Sequence, residues 1–213
     1  MTLGRLPEGL LQEIFDLLIV QMSECLEMIV AQEGSGMMAE SRGIFFDFDE
    51  KREDDKATLK TVQVAYSAIP RLLYHNQTEQ SALSMLQMLT QVSEDKFVRT
   101  NWMVRQAILV CFKSLLEQKR SGPRGKITLE FGATLVEKAA EFGEKYDQNL
   151  VYLSSICLLV AEQAANNAGS ESGLSQGQHN AFREAAEKLI ALLQEKGSEV
   201  LIQNVDLIRR YLG

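Results

Sequence analysis

Apolar side chains recur along most of the chain at steps of three and four residues, the period of an amphipathic α-helix. The first segment of this kind covers about residues 8–32. Its apolar positions follow one another at steps of four, three, four, three and four: Leu11, Phe15, Leu18, Met22, Cys25 and Ile29. Four further apolar side chains widen this seam: Leu10, Ile14, Leu17 and Leu26. So broad a seam predicts that the first helix is buried against more than one neighbour.

Seven later segments have the same period. They predict helices over about 55–74, 78–92, 96–119, 127–146, 148–167, 176–196 and 198–212. Pro70 should kink or break the second helix, and Ser93, Glu94 and Asp95 should separate the third helix from the fourth. Since most of the connections are short, we expect an all-α fold of about eight antiparallel helices.

Two architectures fit such a series of helices. One is a closed helical bundle, and the other is a stack of helix pairs like the armadillo and HEAT arrays. No repeat of roughly 40 residues is visible in the letters. The steady alternation of helix and short turn nevertheless favours the stack.

One long loop, near 34–54, interrupts the pattern. Gly34, Ser35 and Gly36 should end the first helix, the run 43–50 (GIFFDFDE) reads as a short extended piece, and a charged run follows it. Loops of this length inside compact domains are commonly mobile or functional.

The length and composition of the chain indicate a single helical domain. With 213 residues, of which 46% are hydrophobic and 24% charged, the chain can form one domain over 1–213. Leu, Ala, Gln, Glu, Lys and Met predominate, and only three prolines interrupt the chain, which favours helices over strands. The last predicted helix stops one residue before the end, so we keep open that the chain is a fragment of a longer protein.

Charge and cysteine content narrow the expected partners and location. The net charge is −7, from 29 acidic and 22 basic side chains, and an acidic surface repels phosphate backbones and anionic lipid. We therefore predict neither nucleic acid nor membrane as a partner. Acidic residues interrupt the first apolar segment, so we expect no signal peptide. The three cysteines, an odd number within apolar runs, suit buried thiols in a reducing, intracellular and cytoplasmic location.

The sequence nominates no catalytic residue, metal ligand or cofactor. The run from Ile44 to Asp49 resembles the nucleophile motif of haloacid-dehalogenase phosphatases, in which Asp47 would attack phosphorus and Asp49 would act as acid and base. The threonine of that motif is here Lys51, however, and no further strands exist to form the sheet that would hold it. We therefore predict that the protein is not an enzyme of this family.

Two groups of residues are candidates for partner binding. Phe45, Phe46 and Phe48 either hold the long loop on the helical body or contact a partner. The second group is a basic run between two helices, which could meet an acidic peptide or phosphate: Lys119, Arg120, Arg124 and Lys126. We interpret the single tryptophan, Trp102, as partly buried core, although tryptophan is enriched at interfaces.

These observations favour a non-enzymatic protein-interaction module, a helical scaffold or adaptor that binds a helix or peptide of another protein. An all-helical enzyme whose site forms only in three dimensions is one alternative. A homo-oligomeric structural subunit is another, in which the seam from Leu11 to Ile29 would pair across a twofold axis.

Overall fold

A computed structural model of the chain describes residues 7–40, 53–75, 78–171, 173–196 and 199–213. Helices make up 88% of this part and strands are absent from it, so the predicted all-α class is confirmed. The helices are α1 Glu8–Glu40, α2 Glu53–His75, α3 Glu79–Arg99, α4 Trp102–Glu117, α5 Gly122–Phe142, α6 Asp147–Asn166, α7 Gln176–Lys196 and α8 Glu199–Leu212. None of them has a stretch that is both long and apolar enough to span a lipid bilayer.

The predicted long loop near 34–54 is wrong in its bounds. Helix α1 continues through Gly34, Ser35 and Gly36 to Glu40, and α2 already begins at Glu53. A glycine inside a helix costs only about 1 kcal/mol relative to alanine, and the residues that follow, Met-Met-Ala-Glu, favour the helix. The extended piece predicted at 44–48 lies outside the described residues.

Two predicted interruptions do not break their helices. Helix α2 runs through Pro70 to His75, and α3 runs through residues 93–95 to Arg99. The hydroxyl of Ser93 is buried and lies 3.1 Å from the hydroxyl of Tyr66. Because Ser93 hydrogen-bonds across to α2 instead of capping its own backbone, the helix continues. Asn101 is the actual boundary, where its side chain accepts hydrogen bonds from the first amides of α4.

The helices form two layers. Helices α1, α3, α5 and α7 pack side by side in one layer, and α2, α4, α6 and α8 in the other. Within the described residues, each helix contacts only the helices one or two places away in the order. The first and last helices therefore do not meet around a common axis, as they would in a closed bundle, and the arrangement is an open stack.

Side-chain hydrogen bonds link neighbouring helices within each layer. In the even layer, Gln118 Nε2 donates to the Pro70 carbonyl, and Gln163 Nε2 donates to the Leu116 carbonyl at 3.0 Å. The partners of these two bonds lie 48 and 47 residues apart in sequence. In the odd layer, Gln178 Nε2 donates to Glu130, also 48 residues away. Each of these bonds ties one helix to the next helix of its layer.

The apolar seam of α1 is only partly as predicted. Leu11, Phe15, Met22, Leu26 and Ile29 are buried against α2 and α3. Two of the residues that were expected to widen the seam are exposed instead, Leu10 by 40% and Leu17 by 61%. Both neighbours of α1 lie on the same side, so only one stripe is covered. Most of this seam is packed within the chain, although Leu18 and Cys25 are only partly buried, and pairing with a second copy stays a prediction.

Two of the three cysteines are buried as expected. Cys111 and Cys157 are free thiols in the core, and burial raises the pKa of both. Cys25 is partly exposed on α1. None of the three forms a disulfide.

The turn between α4 and α5 requires a glycine at position 125. A Cβ atom added to Gly125 would collide with the backbone carbonyl of Arg120, which cannot rotate away as a side chain could. We expect Gly125→Ala to destabilise the protein by about 1–3 kcal/mol, measured by chemical denaturation. Gly177→Ala is the matched control, because Gly177 also lies in a first helical turn but has nothing within 4 Å of the added atom. Equal stability of the two variants would contradict this account.

Candidate protein-docking site

The predicted partner-binding residues do not gather into one site among the described residues. Phe45, Phe46 and Phe48 lie outside the described part of the chain, so their role stays a prediction. The basic run lies at the end of α4 and the start of α5, where Lys119 has a positive φ of 46° in the turn.

Side chains of the basic run are engaged with neighbouring helices. Lys119 pairs with Glu162 of α6 at 2.9 Å, and Arg124 pairs with Glu79 of α3 at 2.6 Å. The guanidinium of Arg120 lies 4.8 Å from the centre of the Tyr74 ring.

Lys126, the fourth residue of the run, is half-buried in the first turns of α5. The run therefore joins the α4–α5 turn to α2, α3 and α6, and a role in partner binding is still a prediction.

A different group of side chains does converge, at the edge where α3 and α5 end and where α4 and α6 begin. Its centre is a buried ion pair: Arg105 Nε donates to Glu144 Oε2 at 2.8 Å. Asn149 Nδ2 donates to the same oxygen at 3.1 Å and to the Trp102 carbonyl at 3.1 Å. Arg105 also donates to the Thr100 carbonyl. These contacts lock the starts of α4 and α6 to the turn that follows α5.

Glu144 is one of the few charged side chains in the core, with 1% of its side chain exposed. Its other oxygen, Oε1, accepts hydrogen bonds from the backbone amides of Lys145 and Tyr146 at 2.9 and 3.1 Å. Burial alone would raise the pKa of Glu144, but the hydrogen bond and charge of Arg105, together with the bonds from Asn149 and the Tyr146 amide, hold it below its usual range.

Aromatic rings cover this ion pair. Trp102 and Tyr146 stack with their ring centres 5.1 Å apart and their planes at 23°. The guanidinium of Arg105 lies 5.1 Å from the centre of the Phe142 ring and 6.0 Å from that of Tyr146. Phe142 and Tyr146 are 36% and 38% exposed. We call Trp102, Arg105, Phe142 and Tyr146 the aromatic–arginine patch.

The hydrogen-bonding capacity of Glu144 is largely used within this group of side chains. Both carboxylate oxygens of Glu144 already accept hydrogen bonds, so Glu144 has little capacity left to act as a general base. Among the described residues, no group of three or more histidines, cysteines and carboxylates is placed to hold a metal ion.

Sequence reasoning missed most of this patch. Trp102 is partly buried, as interpreted, but nothing in the sequence connects it to Tyr146, 44 positions further on. One local signal was available in the sequence: Gly143, which ends α5 with a positive φ, is followed directly by the acidic residue Glu144. A glycine at this place indicates the end of a helix. Comparisons of the chain with known protein families, curated proteins and solved structures found no match.

Proposed function

We propose that the chain is a non-enzymatic helical scaffold that binds a helix or peptide of another protein. The observation that carries this proposal is the aromatic–arginine patch, in which partly exposed rings sit on a fully bonded, buried ion pair. The open stack supports the same proposal, because arrays of stacked helices present extended surfaces to partners.

The chemistry of the patch is that of protein-binding hot spots. Tryptophan, tyrosine and arginine are the residues most enriched at positions that contribute strongly to binding. Aromatic rings bring a large contact area and have few torsions to immobilise, so little entropy is lost when they bind.

Contacts with neighbouring buried residues hold the rings of the aromatic–arginine patch in place. Phe142 packs against buried Phe97 with ring centres 5.8 Å apart, and the Trp102 backbone is fixed by Asn149. The rings therefore hold their positions before a partner arrives. We infer that apolar side chains of the partner pack on the exposed faces of Phe142 and Tyr146.

The proposal predicts selective loss of binding when the rings are removed. Proteins captured by the wild-type chain are identified by mass spectrometry, and the affinity of each purified candidate is then measured by calorimetry. We expect Trp102→Ala and Tyr146→Ala each to weaken partner binding at least about tenfold, as truncation of a hot-spot ring does. The Tyr146→Ala variant keeps the backbone amide that Glu144 binds, so the frame survives.

Tyr211→Ala is the matched control. Tyr211 is 39% exposed on α8, close to the value for Tyr146, but it lies outside the patch. Binding should be unchanged in this variant, and circular dichroism should show all three variants folded. A partner that binds both patch variants with wild-type affinity would contradict the role of the patch.

A further inference from the structure

The outer face of α1 carries an apolar stripe that no other helix of the described residues covers. On the side opposite to α2 and α3, it exposes Leu10, Leu17, Val20 and Met28, of which Leu17 is 61% and Val20 54% exposed. Positions 10, 17 and 28 fall within about 20° of one another at 3.6 residues per turn, so they form one stripe along the helix.

The charged side chains on this face of α1 are all acidic. Glu13, Asp16 and Glu24 are exposed on one side of the stripe, and Glu13 and Glu24 fall between Leu17 and Val20 around the helix. Among the described residues, none of the three forms an ion pair with a basic side chain. Helix α1 contains no lysine, arginine or histidine along its 33 residues. Among the side chains of α1 that the structure describes, Glu27 alone pairs with a basic group, Lys96 of α3, at the edge of the face.

This charge pattern argues against a second copy as the occupant. In an antiparallel twofold pair centred between Leu17 and Val20, Glu13 of one copy would lie opposite Glu24 of the other. In a parallel pair each acid would lie beside its own counterpart. Like charges at such distances repel, and a basic partner would turn the same contacts into attraction.

We propose that the outer face of α1, defined by Leu10, Leu17, Val20 and Met28, docks an amphipathic helix whose apolar seam is flanked by lysine or arginine. The inference rests on the proposed function as a protein-interaction scaffold, but it concerns a second surface on a different helix. Aliphatic seam residues of the partner pack on Leu10, Leu17 and Met28, and the basic side chains along one flank of its seam meet Glu13, Asp16 and Glu24.

The test uses a designed peptide as the probe. A helical peptide of about 20 residues carries leucines at steps of three and four, with lysines on both sides of the seam. Its control has every lysine replaced by glutamate. We expect fluorescence anisotropy to show saturable binding of the basic peptide alone, with affinity falling several-fold between about 50 and 300 mM salt because salt screens exposed charges.

Variants of the full chain locate the binding. Leu17→Ser with Val20→Ser should weaken binding of the basic peptide at least about tenfold, whereas Val64→Ser, at an equally exposed position on α2, should not. Replacing Glu13, Asp16 and Glu24 by lysine should do the same and should admit the acidic peptide. The charge-matched control replaces three exposed acids elsewhere by lysine: Glu171, Glu184 and Glu195.

Three outcomes would overturn the proposal: no binding of the basic peptide, equal effects of the test and control variants, or a dimer in analytical ultracentrifugation that Leu17→Ser with Val20→Ser dissociates. The last result would assign the face to a second copy. None of these results depends on Trp102 or Tyr146. A failure of the proposal for the α1 face can therefore be distinguished from a failure of the proposal for the aromatic–arginine patch.

Discussion

Replacing Glu144 by glutamine is expected to lower the melting temperature by roughly 10 °C. Removal of one partner of a buried ion pair costs about 3–5 kcal/mol, because the other charge is left without compensation. Here that charge is Arg105, whose side chain is only 13% exposed. Whichever way the new amide turns, its NH2 group would also face donors: either the Lys145 and Tyr146 amides or the side chains of Arg105 and Asn149. Differential scanning calorimetry at pH 7 measures the effect.

The pH dependence of the same variant checks the cause. The folded-state pKa of Glu144 lies below its ordinary value of 4.5, so its contribution to stability is complete above that value and disappears as pH falls through the folded pKa. The difference in melting temperature between wild type and Glu144→Gln should therefore shrink as the pH is lowered from 7 towards 3.

Glu141→Gln provides the control, because Glu141 is an exposed acid in the last turn of α5, three residues before Glu144. Its melting temperature should stay within about 2 °C of the wild type, as is usual for surface substitutions. A difference between wild type and Glu144→Gln that does not change with pH would show that packing, and not the carboxylate charge, accounts for the loss.

Replacing Leu26 by aspartate is expected to unfold the N-terminal helices. Leu26 is fully buried on α1, and an unpaired carboxylate there costs several kcal/mol, which is comparable with a typical total stability of about 5–15 kcal/mol. Leu17→Asp makes the same chemical change on the exposed face of the same helix and should be tolerated. Circular dichroism at increasing urea concentration distinguishes the two variants.

The pair of variants also tests which face of α1 is buried. If both unfold the protein, the exposed stripe is covered in solution. If Leu26→Asp is as stable as Leu17→Asp, the packing of α1 on α2 and α3 is wrong. Either result would contradict the described fold at its first helix.

The fold class and most helix positions could be predicted from the sequence, because the 3.6-residue period depends only on local spacing. Helix α7 matches its predicted range of 176–196, and α6 differs from its prediction by one residue at each end. Helix boundaries were predicted wrongly where a polar side chain could hydrogen-bond either to its own backbone or to a residue distant in sequence. Ser93 could have capped a helix, but its hydroxyl reaches Tyr66, 27 positions away.

The candidate site could not be predicted in the same way, because its contacts are long-range. Arg105 and Glu144 are 39 positions apart, and each alone is an ordinary charged residue near a helix end. Similarly, the width of the seam on α1 was visible, but the side that stays exposed depends on where α2 and α3 lie. Leu17 and Leu26 are the same residue type on opposite faces of one helix, and the positions of α2 and α3 decide which of the two is buried.

The open stack has a consequence for how changes spread through the molecule. In a closed bundle every helix borders a shared interior, so the number of helices is fixed by geometry and a disturbance reaches all of them. Here each helix contacts only the helices one or two places away in the order. The free energy of unfolding is therefore approximately a sum of contributions from individual helices and from the interfaces between neighbours. The face on α1 and the α7–α8 end can consequently change in sequence independently, and a helix pair could be gained or lost at one end without redesign of the other.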